Sequence, residues 1–532
     1  MNIKPLLRSC RHLSLLAFVI VAQAANAGSV DLTHATIEDI QAAYQAGSLS
    51  AEKLTRMYLK RIEAYDKQGP SINAVILLNP NAIAEAKALD AERKKKGVRS
   101  PLHGIPIVLK DNFDTFDMQT TAGSMLLKGS VPPDDAFVVK KLRDAGAIIV
   151  AKVNLSEFAS GGGGPNGFSS MGGQTHNPHD LTKGPAGSSG GTGASIAAAF
   201  AQLGLGTDTG GSIRGPSSAN GIVGLKPTHG LLSRDGIVPL ALSFDTGGPM
   251  ARSVYDVAVA LGVMTGVDAA DAATKKSTGQ FHTDYTQFLK PGSLKGARIG
   301  IARDFFKQSE ETDRVMEAAI AKLKELGADV VDPVIYPEYV VKGKAGIYQS
   351  INPPEFKAQV TQYLSTLKPG YPRSLAELIA KAEAPNSGYS NPWRLTSMKR
   401  SEASADLSAP QYLAAKEQGL ELMRAAVLAT FAEHRLDAMV YPTSPRPARP
   451  IAPEPQGSGG ESATNIANET GFPDLIVPAG MTSDGLPVTI SFFAPAFSEP
   501  KLLAYGYDFE QATKARVLPK HTPAMQGETI KW

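Results

Sequence analysis

Three residues in this chain have the types and settings that nucleophilic chemistry needs. Lys110 follows the apolar run GIPIVL (104–109). Ser188 lies in the Gly-rich stretch GPAGSSGGTG, and Ser212 follows two glycines in GTDTGGSIR (206–214). Taken singly, each has an ordinary explanation: a lysine after an apolar run reaches for water, and a serine among glycines forms a turn. Together they suit a serine hydrolase whose base is lysine. A serine hydroxyl is a poor nucleophile and needs a base in contact. Lysine can act only when neutral, so its pKa must fall from about 10.4 toward ~7–8. Burial at a strand end, away from acids, pushes it that way. Gly210 and Gly211 let the backbone turn its N–H groups inward as an oxyanion hole. A small helix starting near Gly190 would bring its positive end to the same place.

Other patterns carry less. Gly162-x-Gly164-x-x-Gly167 matches a dinucleotide fingerprint in letters only, because Pro165 lies inside it, no strand precedes it and no helix pattern follows. His176 and His179 flank a Pro-containing turn, a poor frame for a metal, and read as a structural loop. Gly187-Ser188-Ser189-Gly190-Gly191 fits GxSxG, the nucleophile elbow of Ser-His-Asp hydrolases, with Ser189 at its centre. That elbow needs a strand before it and a late histidine. Here a loop leads in, and His434 and His521 are the late candidates, so this hydrolase is the rival mechanism.

The elements that must hold these residues follow the spacing of apolar positions. Residues 34–66 and 82–96 have helical spacing, as does 134–144 before Gly146. GIPIVL and AIIVA (147–151) are strand-like, and Leu203 to Thr207 forms a strand after a small-residue helix, Ala194 to Gln202. Strand, helix and strand recur at 297–334. Residues 340–430 are polar and mostly helical, and 442–460 is a Pro/Gly-rich loop. Strands at 475–477 and 488–493 precede a last helix, Glu499 to Arg516. Alternation of this kind predicts α/β layering.

Of the 532 residues 42% are hydrophobic and 20% charged, a composition that folds rather than stays disordered. The net charge of +3 resides in Lys4, Arg8 and Arg11, and the remainder is neutral. Nucleic acid and anionic membrane are therefore not expected partners. A basic start, an apolar run from Leu13 to Ala22 and Ala25-Asn26-Ala27 read as a secretory signal over 1–27, cleaved after Ala27. The run is too short to span a bilayer, which needs about 20 residues. The expected destination is the periplasm or the outside of the cell. The only cysteine, Cys10, lies in that segment, so the mature chain has no disulfide and no thiolate nucleophile.

The run GSSGGTGASIAAAFAQLGLGTDTGGSIRGPSSANGIVGLKPT (187–228) resembles the signature of the amidase signature family. PLHGIPIVLKDNF, TTAGS, AKVNLSEFA, GPMARSV and GFPDLIVPAGMTSDGLP agree with it, and the resemblance spans about 34–517, thinnest over 265–430. It implies one large α/β domain around a mixed sheet flanked by helices, over 28–532, with 265–430 a variable helical insertion forming one wall of the pocket. It implies amide hydrolysis at linear C–N bonds through a Ser-Ser-Lys triad and an acyl-serine intermediate. Lys110 would be the base, Ser188 (its peptide bond cis) the bridge and Ser212 the nucleophile. Thr209, Gly210, Gly211 and Ser212 would form the oxyanion hole, and Ser189, Asp208 and Arg214 would orient the triad. No metal or cofactor is implied, and the expected partner is a small-molecule or peptide amide. The chain departs from the family at Ala186, where glycine is usual, and at Thr489. Secreted amidases of the peptide-amidase kind fit best. The rival branch is the A subunit of a tRNA-dependent amidotransferase, and a non-catalytic binding protein would be expected to lack one of the three catalytic residues.

Overall fold

Apolar runs become strands, and the amphipathic stretches between them cover both faces. The computed structural model describes Met1 and residues 28–453 and 462–532. The expected leader, with its cleavage site and Cys10, lies outside the described residues, apart from Met1. The strands are β1 (Ser29–Asp31), β2 (Val75–Leu78), β3 (Pro106–Lys110), β4 (Ile148–Val153), β5 (Phe168–Ser169), β6 (Gly173–Gln174), β7 (Leu203–Asp208), β8 (Val223–Lys226), β9 (Thr246–Ala251), β10 (Arg298–Ala302), β11 (Asp329–Val334), β12 (Ala438–Pro442), β13 (Asp474–Met481), β14 (Pro487–Phe493) and β15 (Thr529–Lys531). Eleven form one mixed sheet in the order β11-β10-β12-β14-β13-β8-β9-β7-β3-β4-β2. The expected fold, one α/β unit around a mixed sheet flanked by helices, is what the described residues form.

The pairing at the centre decides where chemistry can occur. Strands β3 and β7 are parallel, with Ile107 opposite Leu203 and Leu109 opposite Leu205. Their carboxyl ends therefore leave the sheet at the same edge, and residues nearly a hundred positions apart meet there. Every residue of both strands is buried, as in strands covered on both faces, and the polar residues Lys110, Thr207 and Asp208 come at their carboxyl ends.

The helices depart from the sequence reading mainly at their ends. The 34–66 stretch is two helices, Ile37–Gln45 and Ala51–Tyr65, each with its own cap. Thr36 and Asp39 form a capping box, and Ser50 accepts from the Lys53 amide. The predicted Ala194–Gln202 helix instead spans Gly190–Ala197, and Ala199 turns the chain with φ +54° into β7. Strand β13 is longer than the expected 475–477 because its first residues pair with β8 and its whole length pairs with β14. The 265–430 region is mostly helical and also carries β10 and β11, the two strands anticipated at 297–334, at one side of the sheet. Its later helices bury a second apolar cluster, with Phe356, Val360, Leu364 and Leu378 packed near Ala159 and Leu240.

The chain ends are tied to the body. Strands β1 and β15 pair antiparallel, and Arg61, with no exposed surface, clamps the C-terminal segment. Its guanidinium donates to Glu528 Oε2 at 2.7 Å, to the Thr522 carbonyl at 2.8 Å and to the Ala198 carbonyl at 2.9 and 3.0 Å. Removing one partner of such a pair leaves the other charge buried and unmatched. Arg61→Ala is expected to lower unfolding stability by about 3–5 kcal/mol, measured as a shift in denaturant midpoint, whereas Lys342→Ala, at an exposed ion pair with Glu338, should leave the midpoint where it was.

Candidate active site

At the shared edge of β3 and β7, Lys110 ends its strand with no exposed surface. Its Nζ donates to Ser188 Oγ at 2.7 Å and to Thr207 Oγ1 at 2.7 Å. Thr207 Oγ1 also accepts from Asn112 Nδ2 at 3.1 Å, which fixes the hydroxyl from the other side. No carboxylate among the described residues bonds this amine. Burial pushes it down to about 7, opposed by the more distant charges of Asp208 and Asp245. Lys152, equally buried, is the contrast: it sits 3.1 Å from Asp111.

Ser188 reaches Lys110 from a loop whose Gly187–Ser188 peptide is cis, as the resemblance implied. The loop is held by the Ser156 amide, which donates to the Ser188 carbonyl at 2.9 Å, and by the Ser189 amide, which donates to the Ser212 carbonyl at 3.1 Å. Ser212 is half-buried and lines the same cleft as Ser188. The Lys110–Ser188 link is thus present as a hydrogen bond, whereas a bond between Ser188 and Ser212 is not among those described.

The loop carrying Ser212 is built on a charge network. Asp208 Oδ1 accepts from the Gly211 amide at 2.8 Å, and Oδ2 accepts from the Ile213 amide at 2.9 Å. Arg214 donates to both oxygens and, at 3.3 Å, to Asp474. Asn468 Nδ2 donates to Asp208 at 2.9 Å, and Tyr441 donates to Asp474 at 2.9 Å. Burial would raise the Asp208 carboxyl, but the charge and hydrogen bonds of Arg214, then those of Asn468 and Ile213, hold it far below its usual range. Gly211 has φ +103°, and a Cβ there would lie 2.1 Å from Thr464 Cγ2, so only glycine fits.

This geometry corrects one expectation. The Gly211 amide is engaged with Asp208, because the carboxylate that holds the loop sits beneath it. The amides of Thr209, Gly210 and Ser212 enter no described hydrogen bond, and Gly210 and Ser212 line the cleft. Ser189 is fully buried, its Oγ accepting from the Thr207 amide and donating to the Thr207 carbonyl, each at 3.2 Å. That burial removes it from the cleft and disfavours the GxSxG reading, and no histidine lines the cleft among the described residues. His176 and His179 bond the carbonyls of Leu181 and Asn220, and no cluster suited to a metal occurs among the described residues.

The cleft holds about 390 Å³. One wall is the Gly-rich loop with Ser160, Gly161 and Asn166; another is the Pro-rich loop carrying Arg446 and Arg449. The helical insertion supplies Tyr348, which stacks on Phe244 with centroids 5.2 Å apart and faces Gly210. Ala186 lines the mouth with φ +57°, a conformation in which glycine is unstrained. Thr489 is buried in β14, its carbonyl accepting from the amide of cleft residue Thr443. Sequence reasoning missed Thr207, Asn468, Asp474 and Tyr441. Asp474 stood in the quoted GFPD motif and Thr207 in GTDTGGS, but their partners come from distant strands.

A family model described as Amidase matches residues 53–503. The chain is 37% identical to a probable amidase of Arabidopsis thaliana over 92% of each chain. It is also 37% identical to the A subunit of the glutamyl-tRNA(Gln) amidotransferase of Pseudomonas aeruginosa, over 90% of this chain and 97% of that one. Among solved structures, the native peptide amidase of Stenotrophomonas maltophilia is 41% identical, with a TM-score of 0.85, over 92% of this chain and 99% of that one.

Two lysines are expected to titrate below the ordinary amine range. Lys110 should titrate near pH 7. Lys226, whose ammonium donates only to the Pro227 and Phe472 carbonyls, is pushed down to about 8 by burial and Arg214. NMR titration of protein labelled at lysine Cε should show both, with the lower one absent from Lys110→Met.

Proposed function

The chain belongs to the amidase family and is an amide hydrolase, and from that premise we propose that Ser212 attacks the amide carbonyl while Lys110, acting through Ser188, takes its proton. The observation that carries this reading is the 2.7 Å contact between a fully buried Lys110 Nζ and Ser188 Oγ, with no carboxylate bonded to the amine. A neutral lysine accepts a proton from Ser188, and Ser188 accepts one from Ser212 as its oxygen bonds to carbon. The amides of Thr209, Gly210 and Ser212 receive the charge that develops on the carbonyl oxygen. Lys110 then returns its proton through Ser188 to the leaving nitrogen. Ammonia or an amine departs, and water releases the acid from acyl-Ser212.

The substrate reading is a peptide-like amide. The cleft is lined by glycines, serines, prolines and backbone groups, with few large apolar side chains, so it favours an extended polar chain over a fatty acyl group. The likeness to a peptide amidase supports the same class. The similarity to the amidotransferase relative sustains the second reading, in which the same triad releases ammonia from glutamine for a partner. A panel of peptide C-terminal amides, aryl amides, fatty amides and glutamine separates the two. Preference for glutamine, raised by adding the remaining components of an amidotransferase, would favour the second.

Protonated Lys110 cannot act as base, so the rate should rise with pH through about 7 and then level off on the alkaline side. Lys110→Arg should be as inactive as Lys110→Ala, because guanidinium stays charged. Ser212→Ala and Ser188→Ala should each lower kcat roughly ten-thousand-fold, and changes at His434 or His521 should be mild. A serine-directed phosphonate should label Ser212. A label on Ser189, or a histidine variant that abolishes turnover, would overturn the assignment.

Export is the companion proposal. The basic start, short apolar run and Ala25-Asn26-Ala27 support cleavage after Ala27 and a periplasmic or secreted enzyme. N-terminal sequencing from the native host should begin at Gly28. Full-length protein in the cytosol would argue for the amidotransferase reading.

A further inference from the structure

A second cleft of about 890 Å³ opens on the far side of the short helix Ile466–Thr470. That helix is the partition between the two sites. Its Asn468 bonds Asp208 beneath the loop carrying Ser212 and, with Glu469 and Thr470, also lines the second cleft. The other walls are the 228–243 loop, the turn carrying Lys276, and the helical stretch carrying Lys416, Leu420 and Arg424. Residues 414–419 of that stretch wind as a π-helix, and Lys416 there reaches Ser243 and Glu355.

Four cations converge here. Arg234 is fastened to Asp271 and Lys416 to Glu355. Lys276 enters no described hydrogen bond or ion pair. Arg424 uses only its Nε, on the Thr470 carbonyl at 3.1 Å, and its terminal nitrogens are without a described partner. The carboxylates on the lining are Glu417 and Glu421, both exposed, and Glu469, which is 1% exposed with neither oxygen bonded. Burial pushes the Glu469 carboxyl up to about 9, against the pull of Lys344, so at neutral pH it is an uncharged hydrogen-bond donor. The field at Lys276 agrees: after burial, the charges that lower its pKa are Arg424, Arg234 and Lys416, with no carboxylate opposing them. The inner wall is therefore positive, with a buried, unpartnered polar group lining it, and nothing in the hydrolysis mechanism uses it.

We propose that this cleft is a binding site for a small oxyanion, a phosphate or carboxylate compound bearing more than one negative charge, held by Lys276 and the terminal nitrogens of Arg424 and directed by Glu469. Lys276 is exposed and Arg424 half-buried, and neither belongs to the apolar core, so replacing them leaves that core intact.

The test is calorimetric titration of the full chain with pyrophosphate and, separately, citrate at low ionic strength. One equivalent of at least one of them should bind, more weakly as salt is raised. Lys276→Ala combined with Arg424→Ala should weaken binding at least tenfold, and Arg446→Ala in the catalytic cleft should leave it unchanged. Tighter pyrophosphate binding identifies a phosphate ligand, and tighter citrate binding a carboxylate one. Absence of binding by both, binding unaltered in the double variant, or binding lost in Arg446→Ala would each overturn the proposal. Because the readout is binding rather than turnover, its failure says nothing against the hydrolase reading.

Discussion

The structure depends on keeping one amine uncharged inside the protein. Lys110 is surrounded by hydroxyls and a carbonyl, with no carboxylate bonded to its Nζ. An ammonium there would lose its hydration and gain no bonded counter-ion, so the neutral form becomes dominant above about pH 7. Folding carries a cost for this arrangement, and the sign of its pH dependence follows. Between about 7 and the ordinary lysine value near 10.5 the unfolded chain binds a proton at this residue that the native chain does not. Stability contributed at this position therefore rises with pH across that window, and the cost is fully developed below it.

The placement of the acids follows from the same constraint. Asp208 directly follows Thr207, which accepts from the Lys110 amine, and its bare charge would hold the lysine protonated. Arg214 neutralises it, with Asn468 and two backbone amides taking the remaining acceptor positions. The carboxylate is thus used to shape the loop that carries Ser212. The same carboxylate engages the Gly211 amide, while its remaining charge still pulls the Lys110 amine upward against burial.

The catalytic centre is legible in the sequence because it is built from local chemistry. The GTDTGGSIR loop carries its own aspartate, glycines, serine and arginine, and the parts played there by Asp208 and Arg214 are read from the family resemblance rather than from spacing. The strands beside it, β3, β4 and β7, are apolar along their length and declare themselves in the same way. Strands β8 and β9 do not, since VGLK and TGGPMA are short and rich in glycine; they are strands because both their neighbours demand it. Asn468, Asp474 and Tyr441 escape for a related reason: Asn468 and Asp474 are ordinary polar residues until the fold sets them against Arg214 from more than two hundred positions away, and Tyr441 matters only through Asp474. Spacing places the small-residue helix too late because Ala194 to Gln202 favours a helix, while the preceding glycines hide the true start at Gly190.

The order of the sheet also has a meaning in time. Strands β13 and β14, built from residues 474–493, lie between β8 and β12 and join the N-terminal half of the sheet to β10 and β11. Until they are synthesised, the sheet is two separate pieces with open edges where they should meet. Asp208 and Arg214 likewise lack the Asn468 and Asp474 partners that hold the nucleophile loop. A growing chain thus carries its lysine and both serines for most of its synthesis without the scaffold that makes them reactive. The contacts that brace the Ser212 loop therefore form only once residues 468–493 have joined the chain.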